Sequence, residues 1–225
     1  MVDSWSPMME RIVFAMTQRD KRVVGITSPQ AASGVTSVCE RLAGITSLTG
    51  MRTLLLDMTS RADDIIPESV WRPGMGNAGQ SITRDSAGFD RLTARFTKQD
   101  RFKFNNVENL RQAFAEDLAA YDTVIVDAAP VPTHDLDQIN GAAAVAACDG
   151  AILLCMSGRV SRAELVAAQE AMVNTQVSLL GMVLNEMQNP TVGAEIAREA
   201  RKLRRYAPGF SGWLERKALG SALLN

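Results

Sequence analysis

Residues 22–37 read RVVGITSPQAASGVTS, a short apolar and β-branched run followed by a turn of small residues. The run 22–27 predicts a strand, and the loop SPQAASG follows it directly. Behind the loop, apolar residues recur at the spacing of a helix that stops at Gly50. We expect four of these residues to face the core, namely Val38, Leu42, Ile45 and Leu48. A strand, a loop and a helix therefore form one unit, around which the remaining elements can be arranged.

The same alternation of strands and helices continues along the chain. Apolar runs predict further strands at residues 53–57, 121–127, 150–156 and 179–185, the first and last of them buried. Helical spacing predicts further helices at residues 8–20, 107–118, 142–147 and 162–173. Residues 58–106 give the weakest signal, with one short strand expected around Leu92 to Phe96. We therefore predict a single α/β domain whose doubly wound, mostly parallel sheet is flanked by helices.

The composition is that of an ordinary globular chain of 225 residues, of which 46% are hydrophobic and 22% charged. A net charge of −1 gives no general attraction for phosphate polymers, so nucleic acid is not expected as a partner. The single histidine, His134, excludes a three-histidine metal centre and is expected in a surface loop. The cysteines lack the spacing of a zinc site and are expected as reduced core thiols. Without a signal peptide or an apolar membrane span, the protein is predicted to be cytoplasmic.

The loop after the first strand has the position of a phosphate-binding loop. In such a loop, backbone N–H groups point at phosphate oxygens and the helix N-terminus adds partial positive charge. Against the pattern G-x-x-x-x-G-K-[ST], the second glycine falls on Gly34 and the Mg²⁺-binding hydroxyl on Thr36, but the lysine falls on Val35 and the first glycine on Pro29. The sequence therefore does not match the motif residue by residue. The predicted strand before the loop and the predicted helix after it nevertheless support a phosphate-binding loop at this position. We predict that nucleotide contacts come from Ser33, Gly34, Val35, Thr36 and Ser37.

Two aspartates stand at the ends of predicted strands. Asp57 ends the run 53–57, and Asp127 ends the run 121–127. A strand-end aspartate is by itself more often a turn former or a helix cap. Because ligands bind beyond the carboxyl ends of parallel strands, both carboxylates are nevertheless expected beside the loop. We predict that Asp127 and Thr36 hold Mg²⁺.

Five segments together carry a resemblance to a known family. They read TSPQAASGVTS, LLLDMTSR, YDTVIVDAAP, DGAILLC and GMVLN, in that order. The chain resembles the bacterial tyrosine kinases and related ATPase domains of capsule and exopolysaccharide biosynthesis, which are relatives of the partition and septum-placing ATPases. The resemblance implies a P-loop fold, ATP or ADP with Mg²⁺, and a membrane polysaccharide co-polymerase as partner. It places Thr36 and Asp127 at the magnesium, Asp57 in a second acidic motif that activates the chemistry, and Asn185 near the nucleotide base.

The departures from the family fall on functional residues. The family lysine is Val35, and Gln30 and Ala32 replace two loop glycines. Loss of a charge-assisted phosphate contact of about 1.5–3 kcal/mol is expected to cost roughly 10²-fold or more in phosphoryl transfer. Arg61, or an arginine from a second subunit, could supply the charge instead. The chain also lacks the tyrosine-rich tail of the family, because its tyrosines are only Tyr121 and Tyr206.

Three functions follow as hypotheses. The first is a degenerate, kinase-like cytoplasmic component of polysaccharide synthesis or export that works by binding a membrane co-polymerase, either as a monomer or as a homo-oligomer. The second is a nucleotide switch of the partition type that dimerises with ATP. The third is a metabolic enzyme that uses the same fold for another ligand.

The C-terminal end combines a basic segment with an amphipathic tail. The segment 191–206 is expected to be a helix that carries five basic residues, Arg198, Arg201, Lys202, Arg204 and Arg205. We predict a P-loop-like domain at residues 1–208 and an amphipathic tail at 209–225. The basic residues favour docking against an acidic partner or an anionic membrane surface, so the protein is expected at the cytoplasmic face of the inner membrane. A solvated helix face is the alternative for these residues.

Overall fold

The computed structural model describes residues 6–63 and 70–185. Contacts divide the chain after Asn185, and everything described below lies in the first unit. The predicted helix at 191–206, its basic residues, and the boundary between residues 1–208 and the tail 209–225 lie outside the described residues. These expectations therefore stay predictions.

Helices and strands alternate along the described chain. The helices are Ser6–Gln18 (α1), Val35–Leu48 (α2), Lys98–Phe104 (α3), Val107–Asp117 (α4), Gly141–Ala146 (α5) and Arg162–Asn174 (α6). The strands are Val23–Thr27 (β1), Thr53–Asp57 (β2), Thr83–Arg84 (β3), Asp90–Thr93 (β4), Thr123–Asp127 (β5), Gly150–Met156 (β6) and Leu179–Asn185 (β7). A short 3₁₀ turn covers Ala78–Gln80. The predicted α/β alternation is thus confirmed.

The strands form one sheet in the order β3-β4-β2-β5-β1-β6-β7. All neighbours pair in parallel except β3, which runs antiparallel to β4 at one edge. After β1 the chain crosses over the position of β5 to form β2. After β5 it crosses over β1 in the opposite direction to form β6. The strand order therefore reverses between β1 and β5, which is where ligands bind in open α/β sheets.

The sheet has a hydrophobic layer on each face. On one face, α1 and α2 pack on the sheet, with Met9 and Leu42 against Ile26 and Ile125. On the other face, residues from α4, α5 and α6 pack on the sheet through a larger cluster that includes Phe114 and Trp71. The helix after β1 and the helix after β5 thus lie on opposite faces, so the loops at these two strand ends diverge and leave a crevice.

Two predictions about burial were wrong. Leu48 is 84% exposed, because it lies about 120° around the helix axis from Leu42. Thr46 takes the core position at that end of α2, where its hydroxyl donates to the Leu42 carbonyl. Strand β7 was expected to be buried, but it is an edge strand on which Leu179, Met182 and Leu184 are exposed. An apolar run alone does not distinguish a central strand from an edge strand.

Other features agree with expectation or refine it. Cys39, Cys148 and Cys155 are buried free thiols, as predicted. The strand expected around residues 92–96 is β4, shifted toward the N-terminus, and Phe96 is buried beyond its end. No helix within the described ranges is long and apolar enough to cross a membrane.

Candidate nucleotide-binding site

The loop between β1 and α2 is held by its own polar groups. The Gln30 carbonyl accepts hydrogen bonds from the hydroxyls of Ser28 (2.5 Å) and Ser33 (2.9 Å). The Gln30 side chain donates from Nε2 to the Arg159 carbonyl at 3.2 Å. Ala32 adopts the left-handed conformation, with φ 58°. The loop is thus built around Gln30 and Ala32, the two residues that stand where the kinases that the chain resembles have glycines.

Helix α2 presents an open N-terminus at the end of this loop. Gly34 is its N-cap in the left-handed conformation (φ 90°), and within the described chain no side chain caps the helix. Its first turn carries no acidic residue. The first N–H groups of a helix have no partner inside the helix, and they attract anions together with the helix dipole. The backbone from Ser33 to Ser37 therefore has the chemistry of a phosphate cradle, although a nucleotide contact from these residues stays a prediction.

Asp127 lies at the end of β5, directly beside the loop. Its side chain accepts a hydrogen bond from the Thr36 hydroxyl. The residue is 3% exposed, and Oδ1 has no hydrogen-bond partner among the described residues. Burial raises the pKa of Asp127 to about 6, and the charges of Asp57 and Glu40 act in the same direction, while the Thr36 hydrogen bond opposes them. A buried carboxylate oxygen without a partner is the type of group that a bound cation satisfies.

The residues present fit a magnesium ion held together with a ligand. Within residues 6–63 and 70–185, no group of three or more His, Cys, Asp or Glu side chains could hold a metal by itself. Mg²⁺ is commonly bound through one or two carboxylates, with waters and substrate phosphates completing the octahedron. Asp127 and Thr36 would supply the protein ligands, and the ion would neutralise phosphate charge. The predicted pair is thus brought together, and its role as a metal site stays a prediction.

Asp57 is the direct neighbour of Asp127 in the sheet, because the two are register partners on β2 and β5. Its Oδ1 accepts hydrogen bonds from the Thr59 backbone N–H (2.8 Å) and hydroxyl (2.7 Å). The carboxylate therefore closes the turn after β2, as strand-end aspartates often do. The structure brings Asp57 to the predicted edge, and it uses one carboxylate oxygen for the turn.

Asn185 supports the loop from the end of β7. It is buried, and its Nδ2 donates to the Ser33 carbonyl at 2.9 Å. A side chain added at Gly34 would approach this amide to 2.9 Å, which adds a steric reason for glycine at the N-cap. The predicted position near a nucleotide base stays a prediction, while the observed contact is with the loop.

The side chain of Val35 is apolar and offers no hydrogen bond or charge to the site. It is half-buried and packs against the core beneath α1 and α2. The cavity in front of it measures about 1010 Å³ and is lined mainly by the loop 28–37, residues 127–138 and the start of α6. Among the described residues that line this cavity, none is a lysine or an arginine. Arg61, the cation suggested as a replacement, is paired with Asp135 (3.0 Å) and Asp137 (3.3 Å).

Sequence reasoning missed the loop after β5 as a wall of the cavity. This loop is tied to the loop between β1 and α2, because the Val131 N–H donates to the Ser28 carbonyl and the Thr27 hydroxyl donates to the Ala129 carbonyl. It carries Thr133 and the exposed His134 into the cavity lining. The only available signal was the position of 128–135 directly after the Asp127 strand.

Sequence reasoning likewise missed that Gln30 organises the loop through its carbonyl and its side-chain amide. A side chain that hydrogen-bonds a residue more than a hundred positions away cannot be recognised from local spacing.

A strand, this loop and an uncapped helix at the reversal of a parallel sheet, with a strand-end aspartate beside them, define an α/β protein of the P-loop type. No protein-family model matches the chain. In sequence it is 24% identical over 193 residues to the tyrosine-protein kinase YwqD of Bacillus subtilis (strain 168), covering 81% of this chain and 80% of that protein.

Solved structures show the same fold. The kinase domain of the Escherichia coli tyrosine kinase ETK matches with a TM-score of 0.62 at 20% identity, over 80% of this chain and 74% of that chain. Cobyrinic acid a,c-diamide synthase from Mycobacterium smegmatis, solved with a bound ATP analog and magnesium, matches with a TM-score of 0.58 at 18% identity, over 73% of this chain and 72% of that chain. The resemblance to bacterial tyrosine kinases and their P-loop ATPase relatives is therefore confirmed.

Proposed function

We propose that this chain is a tyrosine-kinase-like component of exopolysaccharide or capsule biosynthesis or export, which acts by binding a membrane co-polymerase and transfers phosphate slowly or not at all. One observation carries this proposal. The phosphate-binding loop, the uncapped helix and the buried Asp127 are all in place, while the position of the family lysine is filled by Val35, which packs on the core.

The missing cation affects transfer more than binding. Backbone N–H groups and the helix N-terminus contribute to phosphate binding whichever side chains are present. Lysine adds a charge-assisted contact of about 1.5–3 kcal/mol and stabilises the charge that develops during transfer. A pocket without it is expected to retain weak binding of ATP or ADP with Mg²⁺, and to lose about 10²-fold or more in rate.

The partner and location are part of the same proposal. The similarity to the tyrosine-protein kinase YwqD and to the ETK kinase domain favours a role next to polysaccharide machinery over an unrelated metabolic role. We place the protein in the cytoplasm, held at the inner membrane by a co-polymerase or chain-length regulator, as a monomer or a homo-oligomer. The basic residues at 198–205 and the tail 209–225 would add contact with anionic lipid.

Phosphate transfer, measured as an increase in the mass of the protein, tests the proposed function. Incubation of the full chain with Mg-ATP, followed by intact-mass spectrometry, is expected to show no added phosphate. Val35→Lys should raise Mg-ATP affinity, and Val35→Met, which extends the side chain without charge, serves as the matched control. Phosphate on Tyr121 or Tyr206 of the unmodified protein would overturn the proposal. So would failure of the protein to co-sediment with membranes that contain the polysaccharide machinery.

A further inference from the structure

The two edge strands of the described sheet differ in length and in charge. Strand β3 at one edge has two residues, and its Arg84 is paired with Asp90 at 2.8 Å. Strand β7 at the other edge has seven residues, and its sequence LLGMVLN contains no charge and no proline. Proteins ordinarily keep an exposed edge strand short or place charges or proline on it, because its free N–H and C=O groups can pair with another chain. Length and charge thus protect the β3 edge but not the β7 edge.

The regular part of β7 is the stretch 181–185. The register with β6 shifts before this stretch, and within it the two strands pair residue by residue. The Ser157 N–H donates to the Asn185 carbonyl at 2.9 Å, so the backbone of Asn185 points toward β6. Because this direction alternates along a strand, the N–H and C=O groups of Met182 and Leu184 point away from β6. Within the described residues, no strand pairs with them on that side.

The side chains at this edge are apolar on both faces of the sheet. Val183 packs against the cluster beneath α1, beside a groove of about 410 Å³ that is lined mainly by apolar residues of α1 and β7. Because successive side chains alternate between faces, Met182 and Leu184 lie on the opposite face. They are 49% and 62% exposed. An edge of this kind is suited to pairing with another strand.

We propose that β7 pairs antiparallel with β7 of a second copy of this chain, about a twofold axis that passes beside Val183. A twofold axis joins one surface to the same surface of the partner, so the surface must be complementary to itself. In this register, Met182 lies opposite the partner's Leu184, and the backbone groups that point outward from both strands hydrogen-bond to each other. The two exposed side chains cover one another in the same way. A charge on the strand would lie close to its own copy across the axis and repel it, and β7 carries none.

The length of the paired stretch sets the strength of the dimer. Residues 181–185 form a strip only about 17 Å long. Interfaces that bury less than about 1,200 Å² in total are weak or transient. We therefore expect dimers at a concentration of about 100 µM and monomers below about 1 µM.

Pairing along β7 leaves the nucleotide cavity free. Among the described residues that line this cavity, none belongs to β7. The dimer is therefore expected to form without ATP, in contrast to a nucleotide switch that dimerises with ATP. The inference goes beyond the proposed function and does not depend on it.

Sedimentation velocity of the full chain over this concentration range, without nucleotide and with Mg-ATP, tests the inference. Met182→Glu and Leu184→Lys should each be monomeric at about 100 µM, because each places a charge opposite an apolar side chain of the partner. An equimolar mixture of the two variants should recover the dimer, since the new carboxylate of one chain lies opposite the new ammonium group of the other. Val173→Lys, at a 67% exposed position on α6, is the matched control and should dimerise like the unmodified protein. Thermal unfolding checks that each variant is folded.

Cross-linking tests the position of the axis. Val183→Cys should form a disulfide-linked dimer under a mild oxidant, because opposed residues at such a position have Cα atoms about 4.5 Å apart. Leu179→Cys, at the exposed start of the same strand, should not.

A chain that stays monomeric at about 100 µM would overturn the inference and leave the proposed function standing. A dimer that persists in both single variants, or that appears only with Mg-ATP, would overturn it too. Phosphate on a tyrosine in the mass experiment would overturn the proposed function instead, without touching the pairing of β7.

Discussion

Replacing Asp127 by asparagine should make the ligand-free protein more stable at neutral pH. Asp127 is 3% exposed, one of its carboxylate oxygens has no hydrogen-bond partner in the described chain, and the acids nearby repel its charge. Asparagine has nearly the same shape as the protonated acid and can keep the contact with Thr36. The substitution therefore removes a buried charge without opening a cavity.

The magnitude follows from the pKa of the group. Burial raises the pKa of Asp127 from its ordinary value of 3.8 to about 6. Because one pKa unit corresponds to about 1.4 kcal/mol, the ionised carboxylate lowers the free energy of unfolding by about 3 kcal/mol. Below about pH 4 the acid is protonated in both the folded and the unfolded state, so this cost is absent. It appears as the pH rises from 4 to 6 and is complete above the folded-state pKa.

Chemical denaturation in metal-free buffer with a chelator measures this effect between pH 4 and pH 8. The free energy of unfolding of Asp127→Asn minus that of the unmodified protein should be near zero at the acid end and should rise to about 2–3 kcal/mol at the neutral end. At about 2–4 °C per kcal/mol, this corresponds to an increase in melting temperature of roughly 5–10 °C. Taking the difference cancels the other titrating groups, which are common to both proteins.

Asp20→Asn, a change at an exposed position just after α1, is the matched control and should show no such rise. Mg-ATP should reverse the order by stabilising the unmodified protein more than Asp127→Asn, because only the carboxylate can hold the ion. If the unmodified protein is equally stable or more stable at pH 8 without metal, the reasoning about a strained carboxylate is wrong.

The remaining predictions concern the loop and the C-terminal end. Ala32→Gly should stabilise the protein by about 0.5–1 kcal/mol, because glycine removes the cost of a left-handed alanine (φ 58°), whereas Ala31→Gly, at a neighbour outside that conformation, should destabilise it by about 0.5–1 kcal/mol. Thermal unfolding measures both stability changes, and a loss of stability in Ala32→Gly would contradict the backbone strain inferred at Ala32. Truncation after Pro208 should leave a stable domain that no longer fractionates with membranes, and a fall in melting temperature with unchanged membrane association would show that the tail packs on the core instead.

The order of elements could be predicted from the sequence because it depends on local periodicity. Strands β1, β2, β5 and β6 are short apolar runs that end in turn residues, and each lies in the sheet as expected. The exposure of β7 could not be predicted, since an apolar run does not reveal which strand is last in the sheet. The predicted burial of Leu48 was also wrong. Thr46 satisfies its hydroxyl within α2 and can therefore occupy the core position that the apolar spacing assigned to Leu48.

For the candidate site, the sequence predicts which residues lie together but not how they are buried or hydrogen-bonded. Asp57, Asp127 and the loop converge because parallel strands bring their carboxyl ends to one edge. The unsatisfied Oδ1 of Asp127, the support of the loop by Asn185 and the partial burial of Val35 depend on packing between distant segments. Such contacts leave no mark on local spacing.

The cost of maintaining this site supports retained ligand binding. A buried ionised Asp127 costs about 3 kcal/mol at neutral pH, and a left-handed Ala32 adds about 1–2 kcal/mol. The free energy of unfolding of a protein is only about 5–15 kcal/mol, so the cost of these two residues is a substantial fraction of it. Asparagine and glycine would remove both costs with small changes in shape. Strained residues of this kind cluster at active sites and ligand-binding loops, and a bound cation would satisfy the unpaired oxygen of Asp127. The cost of these two residues is therefore consistent with the proposed function, in which the site still binds metal and phosphate although Val35 stands at the position of the lysine.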